Sequence, residues 1–554
     1  MSMHCDRYLI EVDLRKIPAY RFDVVIVGGG VAGDNAALAA ATAGKLVAII
    51  AKSSLTNTNT YMAQGGMAAV VSESDSFESH IQDTMKVGVG LCDEAIVRKV
   101  ITGGPDSVHR LLTLGAKFDH SPSGELDCSR EGGHTNARVV HANGDATGRE
   151  IQRVLTLAVR NHELITTFPD TFAIDIVTAE GEAYGVLARI SSGSFVLFSG
   201  SQIILATGGG GQLYRETTNP TIATADGVAM AYRAGATVRD LEFFQFHPTC
   251  LYIAGAARVL ISEIVRGHGG VLRDRNGERF MPDVHPDAEL APRDVVSRAV
   301  FRQMIATKDT NVYLDLSNVD RNPHVLFPSI SKMCRFFGID IAKDPVPVRP
   351  GAHYMIGGIQ VDAEGQTSIP GVWAVGECAS SGLHGANRMG SNSLLEGMVL
   401  GEIAGFCAAQ ADRIDRPRPA RILRRTVDSP PHGIELSITD LVYSLKSLMW
   451  RQVGLERDGW SLRDAQEHIS FWFDAVRRLA PAQPRAWELI NMLTVAQLTA
   501  FGAEGRNESR GVHYRTDYSD IADPMHTIIR PNETSDHCIE GSLEHVQCGV
   551  VLTH

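Results

Sequence analysis

Short apolar runs alternate with glycine-rich turns in the first half of the chain and again near residue 375. The runs at residues 22–27, 46–50, 202–207 and 371–377 are almost entirely apolar, which is typical of strands buried on both faces of a parallel sheet. Residues 35–43 and the Ala-rich stretch after residue 391 have the composition of buried helices. The alternation predicts an α/β fold built on a Rossmann-like domain.

Two parts of the chain break this rhythm. Residues 241–354 form an insertion with motifs of its own, and from about residue 425 apolar residues recur at three- and four-residue spacing in 439–450, 462–479 and 487–501, which predicts helices. Residues after Asp520 are polar, and we predict an irregular tail there. The predicted domains are therefore a discontinuous Rossmann-like domain (20–240 and 355–424), an inserted α+β capping domain (241–354) and a C-terminal helical domain with that tail (425–554).

Composition narrows the function classes. A chain of 554 residues with a net charge of −12 lacks the basic surface that nucleic acid or an anionic membrane requires. It contains neither an apolar segment of membrane-spanning length nor the apolar core of a signal peptide, so we expect a cytoplasmic protein. The nine cysteines are dispersed without a Cys-x-x-Cys pair, which favours reduced thiols over a metal or iron–sulfur site. Any redox centre is then expected to be an organic cofactor.

The glycine turn after the first strand is the clearest cofactor motif. Gly28, Gly30 and Gly33 have Gly-x-Gly-x-x-Gly spacing between a predicted strand and a predicted helix. In that context the first glycine makes the tight turn, the second lets the backbone approach a pyrophosphate and the third allows close helix packing. The acid that usually binds ribose is absent from the end of the second strand, where Lys52 is a candidate phosphate or ribose contact.

Two other features are candidates for the same cofactor, and a third is a candidate site for a carboxylate ligand. The polar stretch 56–70 suits either a cofactor-wrapping loop or an ordinary surface loop, and Asp226 suits either a helix N-cap or a cofactor contact. Arg388 lies on a glycine-flanked turn just before a predicted helix, where its guanidinium suits a carboxylate ligand or a surface ion pair.

Together these motifs resemble the flavoprotein family of succinate dehydrogenase, fumarate reductase and L-aspartate oxidase. The resemblance runs from about Phe22 to Asp520 and also includes the segments 63–66, 206–209 and 242–249. It implies FAD as cofactor, with the binding residues Gly28, Gly29, Gly30, Val31, Ala32, Gly33, Lys52, Asn59, Thr60, Tyr61, Met62, Ala63, Gln64, Gly65, Gly66, Asp226, Glu377, Ser393 and Leu394.

Position 59 bears on how the flavin is held. In the membrane-complex members of the family, a histidine five residues before the loop glutamine is bonded covalently to the flavin, and here that position is Asn59. An amide cannot form the bond, so the resemblance implies non-covalent FAD. Without the covalent link, oxidation of succinate is disfavoured.

Position 131 bears on the substrate. Members that act on plain dicarboxylates have an apolar aromatic residue here, whereas L-aspartate oxidases have the Arg-Glu-Gly-Gly-His sequence found at residues 130–134. A carboxylate over a dicarboxylate site repels fumarate and succinate unless the ligand has a positive group, such as the ammonium of aspartate. A solvated surface acid is the alternative for Glu131. The His513-Tyr514 pair also looks more like the oxidases.

The resemblance implies a set of catalytic residues. An isolated histidine is usually structural, but a ligand with two carboxylates needs several fixed donors. In the family the arginine at the position of Arg293 delivers a proton to fumarate. Because arginine is a poor base, it would rely on Glu263 and Arg266 as relay partners and serve chiefly as a carboxylate clamp during aspartate oxidation. The full set is Arg293, Glu131, His247, His353, Arg388, Ser262, Glu263 and Arg266.

The sequence thus predicts an FAD enzyme that oxidises L-aspartate to iminoaspartate with oxygen or fumarate as electron acceptor. By resemblance, this reaction opens NAD biosynthesis through the quinolinate branch, with hand-over of the imine to quinolinate synthase. The alternatives are a soluble fumarate reductase, the flavoprotein subunit of a succinate dehydrogenase-type electron-transfer complex, and a flavin-binding protein without turnover.

Overall fold

The computed structural model describes residues 4–255, 259–319, 321–412, 417–422, 436–479, 482–533 and 538–548. Its α-helices are α1 (Val31–Thr42), α2 (Asn59–Met62), α3 (Phe77–Val87), α4 (Glu94–Thr102), α5 (Gly104–Thr113), α6 (Thr147–Arg160), α7 (Asp226–Ala234), α8 (Ile264–Gly267), α9 (Arg293–Thr307), α10 (Pro323–Leu326), α11 (Pro328–Phe336), α12 (Asn392–Gln410), α13 (Ile438–Gln452), α14 (Gly459–Leu479) and α15 (Pro484–Gly505). Its strands are β1 (His4–Asp6), β2 (Val12–Asp13), β3 (Ala19–Arg21), β4 (Val24–Val27), β5 (Val47–Ile50), β6 (Met67–Ala68), β7 (Cys128–Ser129), β8 (Val139–Val140), β9 (Ile165–Phe168), β10 (Phe172–Ala179), β11 (Glu182–Arg189), β12 (Phe195–Ser199), β13 (Gln202–Leu205), β14 (Val238–Arg239), β15 (Phe244–Leu251), β16 (Val259–Leu260), β17 (Val271–Arg273), β18 (Val312–Asp315), β19 (Val346–Met355), β20 (Gly358–Gln360), β21 (Val372–Ala374), β22 (Ala379–Ser380), β23 (Arg421–Ile422), β24 (Met525–Glu533) and β25 (Cys538–Gln547).

A five-stranded parallel sheet in the order β21-β13-β4-β5-β9 carries the glycine turn. Four of its five strands, β21, β13, β4 and β5, are buried along their whole length, as the uninterrupted apolar runs predict. All four predicted strands of the Rossmann-like domain are therefore present, each with bounds slightly inside the predicted ones.

Helices α1 and α12 pack closely because of glycines spaced four residues apart on α12. A side chain at Gly401 would place its Cβ 2.6 Å from the carbonyl oxygen of Ala32, and one at Gly405 would place it 2.2 Å from that of Ala36. Residues four apart share one face of a helix, so this glycine row lets the two backbones meet. The contact sets the start of α12, which follows the Arg388 turn, against the start of α1, which follows the glycine turn.

The insertion has a sheet and an apolar core of its own. Strands β16-β15-β19-β18-β17 form an antiparallel five-stranded sheet. Helices α8 to α11 lie between these strands in the chain, and their apolar residues form one buried cluster with the sheet, which includes Val265, Val300 and Val348. Strands β15 and β19 each pass from this unit towards the cavity described below. The mixed α+β content agrees with the predicted type, while its role as a cap stays a prediction.

Helices α13, α14 and α15 occur at the three C-terminal segments with helical spacing. Trp487 of α15 is almost completely buried, and its ring lies 5.8 Å from that of Phe172 and 6.2 Å from that of Phe195, centroid to centroid. The helices therefore pack against the half of the chain that carries the glycine turn.

The prediction of an irregular tail after Asp520 is wrong for residues 525–533 and 538–547. Strands β24 and β25 form a long antiparallel hairpin inside a six-stranded sheet of order β1-β25-β24-β14-β20-β22. Its partners are far away in sequence: β25 pairs with residues 4–6, and β24 pairs with Val238 and Arg239. These contacts, and not a strong local alternation of apolar and polar residues, fix the strands.

Within the residues that the structure describes, the helices are all too short or too polar to cross a lipid bilayer. The eight cysteines whose side chains are described are free thiols.

Candidate active site

The glycine turn between β4 and α1 is packed tightly from behind. Gly28 has a φ of +112°, and a Cβ there would lie 2.1 Å from the carbonyl oxygen of Ala206. A Cβ on Gly33 would lie 2.1 Å from the carbonyl oxygen of Gly28. Gly33 is thus a packing position, whereas Gly28, Gly29, Gly30, Val31 and Ala32 line a large cavity.

The polar stretch after residue 56 lines the same cavity and is not merely a surface loop. Thr60 accepts a hydrogen bond at Oγ1 from the backbone N–H of Val31, at 3.0 Å, which ties helix α2 to the start of α1. The lining includes Asn59, Thr60, Met62, Ala63, Gln64, Gly65 and Gly66, but the side chain of Tyr61 is turned outwards and 38% exposed.

Lys52 lies at the cavity wall, but its ammonium already has partners. Nζ lies 2.6 Å from Oδ2 of Asp226 and 2.7 Å from Oε1 of Glu488, and it donates to the hydroxyl of Thr224 at 2.6 Å. Asp226 is the first residue of α7 and not its N-cap, which is Ala225. Because two carboxylates already surround the ammonium, Lys52 is not a free cation for a phosphate.

Glu377 lies in the cavity wall after β21. Its Oε2 accepts from the side-chain amide of Asn59 at 2.9 Å, and its Oε1 accepts from the backbone N–H of Met355 at 3.1 Å. Complete burial raises the pKa of this carboxyl to about 7, despite those two donors. Ser393 and Leu394, in the first turn of α12, complete this part of the lining.

The residues present fit a bound flavin dinucleotide. The open strip of backbone at Gly29 to Ala32 lies at the N-terminus of α1, where a helix favours a phosphate. Farther along the cavity, Asn59 Oδ1, Gln64 Oε1 and Thr207 Oγ1 are buried and have no hydrogen-bond partner among the described residues. Buried polar atoms are normally satisfied, so these acceptors and donors match a polar ligand.

Charged residues from the insertion and from the Arg388 turn meet at one end of the cavity. Arg293, at the N-terminus of α9, donates from Nε to Oε2 of Glu263 at 2.7 Å. Arg266 lies behind, 3.1 Å from the other oxygen of Glu263, and outside the lining. Burial opposes ionisation of Glu263, but the two guanidinium groups outweigh it and lower its pKa to about 2.

Gln245 joins the two arginines of the cavity. Its Oε1 lies 3.3 Å from Nη1 of Arg293 and 3.4 Å from Nη1 of Arg388, and its Nε2 donates to the backbone carbonyl of Arg388 at 2.7 Å. Burial and the nearby Arg293 lower the pKa of Arg388 to about 10. Arg388 is therefore a cation at neutral pH, and one amide aligns its guanidinium with that of Arg293.

Glu131 is buried in the cavity and is not a solvated surface acid. Only 4% of the residue is exposed, and Oε2 accepts from the hydroxyl of Ser391 at 2.8 Å. A Cβ on Gly390 would lie 2.8 Å from both this oxygen and Nη2 of Arg293, so the carboxylate and the guanidinium converge on one small space. Burial raises the pKa of Glu131, although Arg293 opposes this.

His247 and His353 form a pair beside these charges, with ring centroids 5.3 Å apart. Burial lowers the pKa of each well below the usual value, and the neighbouring cations lower it further. Nδ1 of His247 accepts from the backbone N–H of Thr249 at 3.2 Å, so the neutral ring carries its proton on Nε2. Neutral imidazoles can donate to a carboxylate without repelling the guanidinium groups. Ser262 is buried and lines the cavity nearby.

The sequence analysis assigned no role to Gln245 or Tyr354, although Gln245 lies in the segment 242–249 and Tyr354 directly follows the candidate His353. Alternate residues of a strand point to the same face, so the candidate His247 on β15 is a signal for Gln245 two positions earlier. Tyr354 follows His353 on β19 and lines the cavity beneath Arg388, with its ring centroid 4.6 Å from the guanidinium carbon. Its part in the site depends on tertiary contacts, which no local pattern predicts.

Comparison with known proteins agrees with this geometry. The chain matches the FAD binding domain model over residues 23–394 and the fumarate reductase flavoprotein C-term model over residues 443–548. L-aspartate oxidase of Streptomyces coelicolor is 41% identical over 532 residues, covering 92% of this chain and 91% of that protein. The chloroplastic L-aspartate oxidase of Arabidopsis thaliana is 40% identical over 546 residues, covering 92% and 84%.

Among solved structures, a quinol-fumarate reductase chain superposes with a TM-score of 0.86 at 30% identity, covering 97% of this chain and all (100%) of that chain. The fold, the domain matches and the two oxidase relatives agree with one another over nine-tenths of the sequence. The chain belongs to the L-aspartate oxidase family, within the FAD-binding flavoproteins that include fumarate reductase.

Proposed function

We propose that this protein is an L-aspartate oxidase, which uses FAD to oxidise L-aspartate to iminoaspartate as the first step of the quinolinate branch of NAD biosynthesis. The observation that carries the proposal is the buried carboxylate of Glu131 facing the same small space as Arg293. Glu263 is already paired with Arg293 and Arg266, so Glu131 is left to face a positive group of the ligand. A site with cationic walls and such a carboxylate suits a ligand with two carboxylates and one ammonium. L-Aspartate is such a ligand.

In this account the two carboxylates of the substrate are bound by Arg388, Arg293, His247 and His353. The guanidinium groups offer paired donors to a carboxylate, and the neutral histidines add N–H donors. Gln245, by accepting from both arginines, fixes the spacing between them. Arg293 serves here as a clamp, consistent with its high proton affinity.

Glu131 binds the ammonium of the substrate. Because burial raises its pKa, the carboxylate is a better proton acceptor than an exposed glutamate, and it can take a proton from the nitrogen as the imine forms. FAD, when bound, accepts the hydride that leaves Cα. The residues that hold it are those of the glycine turn, the 59–66 segment, Glu377 and the first turn of α12.

Two electron acceptors fit the same site. Oxygen as acceptor would give peroxide, whereas fumarate is a dicarboxylate that the arginines and histidines would bind in place of aspartate. For fumarate, Arg293 supplies the proton to carbon, and Glu263 and Arg266, hydrogen-bonded or paired behind it, restore that proton.

We further propose that iminoaspartate passes to quinolinate synthase, since the imine is unstable in water. The free thiols are consistent with a reducing compartment such as the cytoplasm.

A second candidate function is a fumarate reductase, which the TM-score of 0.86 to a quinol-fumarate reductase chain favours. The buried Glu131 disfavours a fumarate reductase, because an anion beside Arg293 weakens binding of a ligand whose only charged groups are carboxylates. Anaerobic mixing of the enzyme with L-aspartate tests the choice, since an aspartate oxidase loses its yellow flavin colour in that experiment.

The FAD is expected to be non-covalent. Asn59 occupies the position at which a covalent histidine link would form, and its amide is hydrogen-bonded to Glu377. Precipitation of the enzyme with acid should therefore release all of the yellow colour into the supernatant. Colour retained on the protein pellet, and on the corresponding band in a denaturing gel, would contradict the assignment of Asn59.

A further inference from the structure

Arg388 is held mainly by uncharged groups. Its Nη2 donates to the hydroxyl of Ser393 at 2.5 Å, and its Nη1 contacts Gln245. One face of its guanidinium lies over the ring of Tyr354, at 4.6 Å from the centroid. A cation over the face of a tyrosine is attracted by the ring, and the attraction grows when both are shielded from water, as here.

The ring of Tyr354 is fixed from its far end. Its hydroxyl donates to Oε2 of Glu396 at 3.0 Å, and Nε2 of His384 lies 3.2 Å from the same hydroxyl. Burial raises the pKa of Tyr354 well above its usual value, and the charge of Glu396 adds to this. The hydroxyl therefore keeps its proton and remains a donor.

Glu396 is an ionised carboxylate inside the protein. Its Oε1 accepts from the hydroxyl of Ser381 at 2.6 Å, and its Oε2 lies 3.0 Å from Nε2 of His384. Burial opposes ionisation, but contacts with His384, Ser381 and Tyr354 outweigh it and lower the pKa of Glu396. With 1% of its surface exposed, this carboxylate lies outside the cavity lining.

Helix α12 therefore reaches Arg388 by two routes. Ser393 contacts the guanidinium directly, and Glu396, three residues later on the same helix face, reaches it through Tyr354. We propose that Glu396 and Tyr354 are a positioning pair that fixes Arg388 for the carboxylate of the substrate. The proposal rests on the proposed function only in assigning a dicarboxylate ligand to Arg388.

The expected effect is on binding. If the hydroxyl tether is cut, the ring can turn away from the guanidinium, and the clamp has to be ordered by the ligand itself. A clamp that holds the same carboxylate before and during the reaction contributes to KM and not to kcat. Tyr354→Phe removes the donor of this hydrogen bond and Glu396→Leu removes its acceptor. Each should raise the KM for L-aspartate about 10-fold and leave kcat within about 2-fold, a difference that corresponds to one tethering hydrogen bond.

The two single variants and the double variant form a double-mutant cycle, which tests whether Glu396 acts on Arg388 through Tyr354. Because Glu396 acts on Arg388 through the hydroxyl of Tyr354, the double variant should match Tyr354→Phe alone, whereas independent effects would multiply to about 100-fold. Binding of malonate, followed by the change it causes in the flavin absorbance, should weaken by the same factors. The malonate measurement needs no turnover, so it remains informative even if the protein does not oxidise aspartate.

Tyr214→Phe is the matched control, since this buried tyrosine also donates through its hydroxyl, to the carbonyl of Val453 at 3.2 Å, but lies outside the cavity lining. It should leave KM and malonate affinity unchanged. If Glu396→Leu fails to fold or to retain FAD, comparison of Tyr354→Phe with Tyr354→Leu decides, because loss of the ring should weaken malonate binding further. Multiplying effects in the double variant, a fall in kcat at unchanged KM, or a leucine variant no weaker than phenylalanine would each overturn the proposal.

Discussion

Glu131→Gln is expected to lower kcat/KM for L-aspartate oxidation by about 10²–10³-fold while fumarate reduction stays within about 5-fold of the wild type. Truncating one partner of a buried, hydrogen-bonded charge pair costs about 2–5 kcal/mol, and every 1.36 kcal/mol is a factor of ten in rate. Glutamine keeps the shape and can still accept from Ser391, the observed neighbour of Oε2. What it removes is the charge that faces the substrate ammonium.

The measurement compares both reactions on one preparation, with initial rates normalised to FAD content. Glu456→Gln is a suitable control, because this acid pairs with Arg302 at 2.6 Å and lies outside the cavity lining. Equal loss of both activities in Glu131→Gln would contradict the account, since it would show that Glu131 does not distinguish the amine. The wild type should also lose aspartate oxidation on acidification at a pH above the usual range for a glutamate, because burial raises the pKa of Glu131 and protonation removes its charge.

Arg293→Gln is expected to lower fumarate reduction by about 10³-fold or more, and aspartate oxidation by a smaller factor. A positioned proton donor contributes about 10²–10⁴-fold, and in fumarate reduction Arg293 is assigned both that role and the clamp. In aspartate oxidation it is assigned only the clamp, shared with Arg388. Glutamine leaves Glu263 paired with Arg266, so this buried carboxylate keeps one cation.

Both activities are again measured on one preparation, and deuterium uptake from solvent into succinate reports the proton step directly. Arg302→Gln is the control on the same helix, because its side chain is 55% exposed and lies outside the cavity lining, paired with Glu456 and packed on the ring of Tyr514. An Arg293→Gln enzyme that reduces fumarate at a rate near that of the wild type would refute the assignment of Arg293 as proton donor.

Much of the Rossmann-like domain could be predicted because the sequence patterns that mark its strands, turns and helices are local. The strand before Gly28, the glycine spacing and the helix after it are encoded in fewer than twenty consecutive residues, and burial on both faces of the sheet demands the apolar runs that mark the strands. The same is true of the Arg388 turn before α12. Local pattern therefore predicted these elements. The candidate residues came mostly from the family resemblance, and the structure brings most of them to the lining of one cavity.

What could not be predicted depends on residues that are distant in the chain. Lys52 was a candidate phosphate contact, but its charge is taken up by Asp226 and by Glu488, 436 residues later. The paired strands β24 and β25 are held by strands near residues 5 and 238. The function of Tyr354 depends on contacts with Arg388 and Glu396 that form only when β19 packs against α12. Such pairings follow from tertiary structure and have no counterpart in spacing.

Anaerobic reduction of the bound flavin shows whether the enzyme selects L-aspartate over a plain dicarboxylate. It separates substrate oxidation from the choice of electron acceptor. The FAD-loaded enzyme is mixed without oxygen with L-aspartate or with succinate, and loss of the yellow flavin absorbance is followed in time. The account predicts rapid bleaching by L-aspartate and bleaching by succinate at least about 10²-fold slower, the discrimination that an unpaired buried charge provides. Bleaching by succinate with the colour unchanged by L-aspartate would contradict it.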